Sequence, residues 1–216
     1  MKKDFEEEEQ PKPSPLKYIL AVFLALIIVL MAIPYYSVKL DPSPQYIPTI
    51  EEVLPDGVEV RNESVRINNS YDFRLFVTPT DPKIKYTANK IVTIACEENI
   101  ICQSKAVYYF VRDNIEYVAD PQGFEYVEPN IEVLASGGGD CESGSLVLAS
   151  LEEAIGVDAQ LVFVANHAYV RIKLDQAPAK YKKDGWIYLD WTCKQCQFGE
   201  IPWENWEKHH SYLEVP

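Results

Sequence analysis

Cys141 lies in the stretch GGGDCESG, residues 137–144, where a run of glycines meets the start of a helix-patterned segment. A thiol at such a turn has unpaired backbone donors and a helix end beside it, which favour a thiolate. The same donors can stabilise an oxyanion forming on a bound carbonyl. Asp140 suits the cap of that helix. Its negative charge opposes a thiolate, so capping is its expected role. Amide chemistry also needs a group that protonates the leaving amine. His167 can do this if it reaches Cys141, and Asp190 can fix the imidazole tautomer. Attack of Cys141 on a carboxamide or peptide carbonyl would leave a thioester. Water or an amine would then resolve it, so hydrolysis and acyl transfer share their first step.

The surrounding pattern must hold these three together. Ala88–Ala95 and Lys105–Asn114 read as helices. Ala106, Val107, Phe110 and Val111 give the second its apolar stripe. A third helix is expected from about Glu142 to Ala154, with Gly156 closing it. The period then changes to that of strands: AQLVFVA, HAYVRIKL and WIYLD. In the second strand Ala168, Val170, Ile172 and Leu174 share one face, and His167, Tyr169, Arg171 and Lys173 the other. In the third, Trp186, Tyr188 and Asp190 oppose Ile187 and Leu189. This parity lets His167 and Asp190 meet if the strands are neighbours.

AVYYFVRDNIEYV (106–118), VLASGGGDCESGSLVLASLEEAIGVDAQLVFV (133–164), HAYVRI (167–172) and WIYLDWT (186–192) occur in the order of the transglutaminase-like superfamily, which the chain resembles from about residue 86 to 192. The resemblance implies an α+β, papain-like core of helices packed on an antiparallel sheet. It implies Cys141 as nucleophile, His167 as general base and acid, and Asp190 as the orienting acid, with no cofactor. Family members often complete the oxyanion site with an upstream aromatic or amide side chain. Tyr117, Phe124 and Tyr126 are near in sequence, and none is assigned. The non-enzyme alternative is an inactive peptide- or glycan-binding or assembly module, whose aromatic surface would comprise Tyr169, Trp186 and Tyr188.

Cys96 and Cys102 lie between two helices, and Cys193 and Cys196 form CKQC just past Asp190. Outside the cytoplasm two short-range disulfides would leave Cys141 as the odd, free thiol. A structural zinc site of Cys96, Cys102, Cys193 and Cys196 is the rival, and unpaired or mixed states are a third outcome. His209 and His210, in WENWEKHH, read as surface or packing residues.

Residues 18–36, YILAVFLALIIVLMAIPYY, carry no charge and span roughly 28 Å as a helix, close to the hydrocarbon thickness of a bilayer. Tyr18, Tyr35 and Tyr36 suit its interfaces, and Pro34 is expected to end the regular helix. An uncleaved signal anchor fits better than a cleaved signal peptide or a core helix, because the run is long and no small-x-small site follows it. Lys2, Lys3, Lys12 and Lys17 precede the span, whereas Lys39 alone follows closely. The positive-inside rule therefore expects a cytoplasmic N-terminus and an outer-face domain, in reach of protein or peptide substrates of the cell envelope.

The expected organisation is a disordered tail (1–17), the span (18–36) and a proline-rich stalk (37–57). A strand-rich segment (58–85, with VEV, VRI and DFRLFV) and the catalytic domain with its C-terminal extension (86–216) follow. Two glycosylation patterns begin at Asn62 and Asn68. The formal net charge of −13 would repel nucleic-acid phosphates.

Overall fold

The computed structural model describes residues 15–60, 64–67, 69–120 and 126–215. Most of the expected tail, both glycosylation-pattern asparagines and Phe124 fall outside these residues. The chain divides into two units, residues 1–39 and 40–216.

The first unit is built on helix α1, Pro15–Leu40. Its window Pro15–Ile33 has a mean hydropathy of 2.8 with none of it buried, so it is long and apolar enough to cross a membrane or to serve as a signal segment. The helix begins before the expected tail ends. It also runs through Pro34 rather than stopping there: proline removes one backbone donor, and the flanking turns carry the helix on.

The second unit contains the helices α2 (Ile50–Val53), α3 (Pro82–Ala95), α4 (Ile100–Asn114), α5 (Asn130–Ser136), α6 (Cys141–Ala154) and α7 (Trp203–Trp206). Its strands are β1 (Val65–Arg66), β2 (Glu116–Tyr117), β3 (Tyr126–Val127), β4 (Gly138–Gly139), β5 (Asp158–Val164), β6 (His167–Lys173), β7 (Lys182–Lys183), β8 (Trp186–Leu189) and β9 (Ser211–Glu214). The main sheet is antiparallel with order β7-β8-β6-β5-β9, and helices pack on it, an α+β fold.

Local chemistry sets the boundaries. Asp81 caps α3 by accepting from Lys83 and Ile84 N–H, with Pro82 at the first helical position, so the helix begins six residues before the expected start. Asn99 does the same for α4 through Ile101 and Cys102 N–H. Ala168, Val170 and Ile172 of β6, with Leu161 of β5 and Ile187 and Leu189 of β8, are buried. This face packs against α6, which is backed in turn by α3 and α4.

The opposite face is covered by the chain's own C-terminal segment. Val162, Val164, Tyr169, Tyr188 and Ile201 form a second buried cluster, with Trp186 and Trp206 packed against it. The aromatic binding surface expected from Tyr169, Trp186 and Tyr188 is therefore corrected. Tyr169 and Tyr188 are buried because Trp206 sits edge-on to Tyr188 at 4.9 Å and His210 lies over both tyrosines.

The N-terminal part departs from expectation in two further ways. Ser70–Phe76 is a 3-10 helix, not a strand: the Asn69 side chain accepts from Tyr71 N–H, and the turn aims Phe73 at Phe163, 5.4 Å between rings. Residues 41–54 also dock on the domain instead of standing off as a stalk. Val53 is fully buried, Ile47, Ile50 and Leu54 pack on the core, and Gln45 N–H donates to Ala95 C=O. Asp41 accepts from the buried Lys105 ammonium at 2.5 Å and from the Tyr181 hydroxyl. Burial raises the Asp41 pKa, but Lys105, Lys180 and Tyr181 outweigh it and hold the carboxyl below its ordinary value.

Candidate active site

Gly137 ends α5 in the left-handed region, φ 68°, where a side chain would be strained. Gly138 and Gly139 then pair in parallel with Glu116 and Tyr117, so the loop before Cys141 is held as a short strand. Asp140 caps α6 as expected, its Oδ1 accepting from Ser143 N–H at 2.7 Å. Burial pushes this carboxyl up to about 7, against the Ser143 hydrogen bond and with the Glu142 charge adding to the rise. Helix geometry leaves the amide N–H groups of Cys141 and Glu142 without an intrahelical acceptor.

Cys141, the first residue of α6, is 7% exposed and is the free cysteine. Its Sγ donates to Glu142 Oε2 at 2.8 Å and receives the Ala168 N–H. Ala168 directly follows His167, so sulfur and imidazole belong to one locality. Burial pushes the thiol well above its usual range, and the Glu142 carboxylate adds to this, while the Ala168 N–H opposes it. This direction runs against the thiolate expected from the glycine turn. Loss of solvent and a neighbouring anion outweigh the donors of the helix start.

His167 Nε2 lies 2.9 Å from Asp190 Oδ2. The register Val170↔Leu189 and Arg171↔Tyr188 puts Asp190, one residue past β8, on the same sheet face as His167. With Nε2 engaged by the carboxylate, Nδ1 is the ring nitrogen that Asp190 does not hold. Asp190 is fully buried. Its Oδ1 accepts from Thr192 N–H at 3.2 Å and Thr192 Oγ1–H at 2.7 Å, and its Oδ2 also accepts from Asn205 Nδ2–H at 3.2 Å. These donors satisfy carboxyl oxygens that water does not reach.

The helix bearing Cys141 and the strand bearing Asp190 meet through Trp191. Its indole N–H donates to Cys141 C=O at 3.4 Å, and its ring lies where a Cβ on Gly144 would fall, 2.2 Å from two ring carbons. Tyr117, placed opposite Gly139 by the β2–β4 pairing, is half exposed. Burial, followed by the charges of Cys141, Asp140 and Glu142, raises its pKa. A cavity of about 410 Å³ opens beside the loop, lined by Val118, Asp120, Glu128, Glu132, Gly138 and Gly139 among others.

The other cysteines form two disulfides, Cys96–Cys102 and Cys193–Cys196. This overturns the four-cysteine zinc alternative, since each pair satisfies itself covalently. Among the described residues no cluster of three or more His, Cys, Asp or Glu side chains is arranged to hold a metal. Cys196 C=O accepts from Tyr108 and Arg112, tying the second disulfide loop to α4. Thr192 and Asn205 were not singled out by sequence reasoning. Thr192 had a local signal, a hydroxyl two residues after an aspartate. Asn205 had none, because its contact with Asp190 depends on the path of the C-terminal segment.

Residues 86–191, just under half of the chain, match the family model described as the transglutaminase-like superfamily. Two solved structures of Legionella pneumophila LapG, one of them EGTA-treated, are each 16% identical to the chain. Each comparison covers 62% of this chain, with 76% of the EGTA-treated LapG chain and 78% of the other, both at a TM-score of 0.38. Likeness at that level carries no functional argument. No curated protein matches the chain.

Proposed function

We propose that the protein is a membrane-anchored cysteine hydrolase or acyltransferase acting on amide or peptide bonds, with α1 as signal anchor, the N-terminus cytoplasmic and the domain outside. The observation that carries this reading is the His167–Asp190 hydrogen bond of 2.9 Å, on a strand whose next amide, that of Ala168, meets the Cys141 sulfur. The thiol turns away from Glu142 Oε2, which holds its proton at rest, and the proton passes to His167 Nδ1 as Sγ bonds to the carbonyl carbon. The oxyanion is received by the unpaired N–H groups at the start of α6, with the Tyr117 hydroxyl a candidate further donor. Collapse breaks the C–N bond, the amine leaves with the proton from His167, and a thioester remains. Water or a second amine then gives its proton to His167 and releases the acyl group as acid or new amide, returning the thiol.

Burial and Glu142 raise the thiol pKa, so in this reading His167 takes the proton as attack proceeds. The cell-envelope location makes proteins or peptides the substrate class.

A second reading is an inactive binding or assembly module, favoured by the burial of Cys141 and its raised thiol pKa. Product analysis on a cell-envelope peptide mixture separates the two, using wild type and Cys141→Ala. Products changed by water or amine addition only with wild type support the enzyme. Equal products, or none from either protein, support the module.

A further inference from the structure

We propose that Asn205, in the C-terminal segment beyond the matched core, is a positioning residue for the Asp190–His167 pair. This rests on the catalytic reading above and assigns that site a component from outside residues 86–191. Asn205 touches no reacting atom. It donates through Nδ2 to Asp190 Oδ2, the same oxygen that bonds His167.

The donors on Asp190 divide the work. Thr192 holds Oδ1 through two hydrogen bonds, but both come from the turn next to the carboxylate itself. Asn205 approaches Oδ2 from a separate element, so it fixes rotation of the carboxylate and the lone pair offered to His167. An amide suits this place because it donates a proton without ever releasing one. A carboxylic acid or imidazole there would compete for the His167 proton.

The orientation of the Asn205 amide is itself determined. Its Oδ1 accepts from Lys208 Nζ at 3.0 Å, which leaves Nδ2 for Asp190. Asn205 is 6% exposed. The segment carrying it is fastened on both sides: Ile201 lies in the cluster under the sheet, Trp206 packs on Tyr188, and β9 pairs with β5 from Gln160 to Phe163. The C-terminal segment therefore serves as a clamp on the acid, and the core alone leaves Oδ2 with one donor fewer.

The test uses the full chain in detergent and iodoacetamide as the probe, with alkylation of Cys141 followed by peptide mass spectrometry from pH 5 to 9. In this reaction Sγ bonds to the methylene carbon, iodide leaves and His167 takes the thiol proton. His167→Ala and Asp190→Asn report on the catalytic reading: alkylation as fast as wild type in both, or no alkylation of wild type at all, removes that reading. Asn205→Leu reports on the proposal, since it keeps the volume and removes the donor. We expect Asn205→Leu to slow Cys141 alkylation about tenfold near neutral pH and to change the shape of its pH profile, the scale of one hydrogen bond to a charged group. Lys208→Met, which removes only the group orienting the amide, should slow it about threefold and covers the case in which Asn205→Leu fails to fold. Rates and profiles within twofold of wild type in the folded variants, with His167→Ala slowed, overturn the role of Asn205 alone. Nitrogen-15 NMR of the three histidines gives a readout independent of sulfur chemistry. The His167 Nε2–H resonance should move in Asn205→Leu and Lys208→Met, and an unmoved resonance also overturns the proposal.

Discussion

Replacing Gly144 by alanine drives a methyl group into the indole of Trp191. The added Cβ would sit 2.2 Å from Trp191 Cε2 and Cζ2 and 2.7 Å from Nε1, where ordinary carbon contacts need about 3.5 Å. The ring must retreat by about 1.3 Å or α6 must lift away from β8. Trp191 is fully buried, so neither movement is free. Overpacking of this kind costs about 1–3 kcal/mol, and loss of the indole bond to Cys141 C=O adds about 1 kcal/mol. For a unit of this size the total lowers the Tm by roughly 5–12 °C. Calorimetry or urea unfolding of Gly144→Ala measures it. A cycle with Trp191→Phe tests the cause: a smaller ring relieves the clash, so the double variant should be more stable than the sum of the single losses implies. A Gly144→Ala protein within about 0.5 kcal/mol of wild type, or strict additivity in the cycle, refutes the reasoning.

Glu152 is fully buried with Ser104 donating to Oε1 at 3.0 Å, and burial raises its carboxyl well above the ordinary value. A folded pKa above the unfolded one means stability is retained below the unfolded pKa and lost as pH rises toward the folded value. Glu152→Gln should therefore gain on wild type by about 1 kcal/mol per pH unit over that window, read from urea midpoints between pH 4 and 8; a pH-independent difference counts against it. Lys105→Met removes the buried ammonium from Asp41 and Pro42 C=O, although Asp41 keeps Lys180 and Tyr181. It should cost about 1–2 kcal/mol and quicken amide exchange across residues 41–54, and unchanged exchange there would show that the segment docks by apolar contact alone.

The helix of Cys141 and the strands of His167 and Asp190 were legible because their patterns are strongly periodic and buried on one side. Parity allowed His167 and Asp190 to meet if their strands were neighbours, and the β6–β8 register puts them on a common face. Parity could not show what covers that face, so Tyr169 and Tyr188 read as a binding surface although Trp206 and His210 lie on them. Phe73, Phe76 and Val77 suit a strand or a tight helical turn, and only the Asn69 cap and the Phe163 contact decide between them. Short spacings made the two disulfides one of three open outcomes, and only the paired sulfurs decide it. Glu142 accepting the Cys141 thiol, Thr192 and Asn205 on Asp190, and Lys105 under Asp41 are matters of three-dimensional proximity or rotamer choice, which spacing does not encode.

The burial of Cys141 has a consequence for how the molecule matures. Five cysteines can form mismatched bridges, and exchange among them proceeds through the thiolate. In the folded chain the odd cysteine is buried away from that exchange, and the other four are paired in two short loops. The burial that raises the Cys141 pKa is thus also a shield against mispairing.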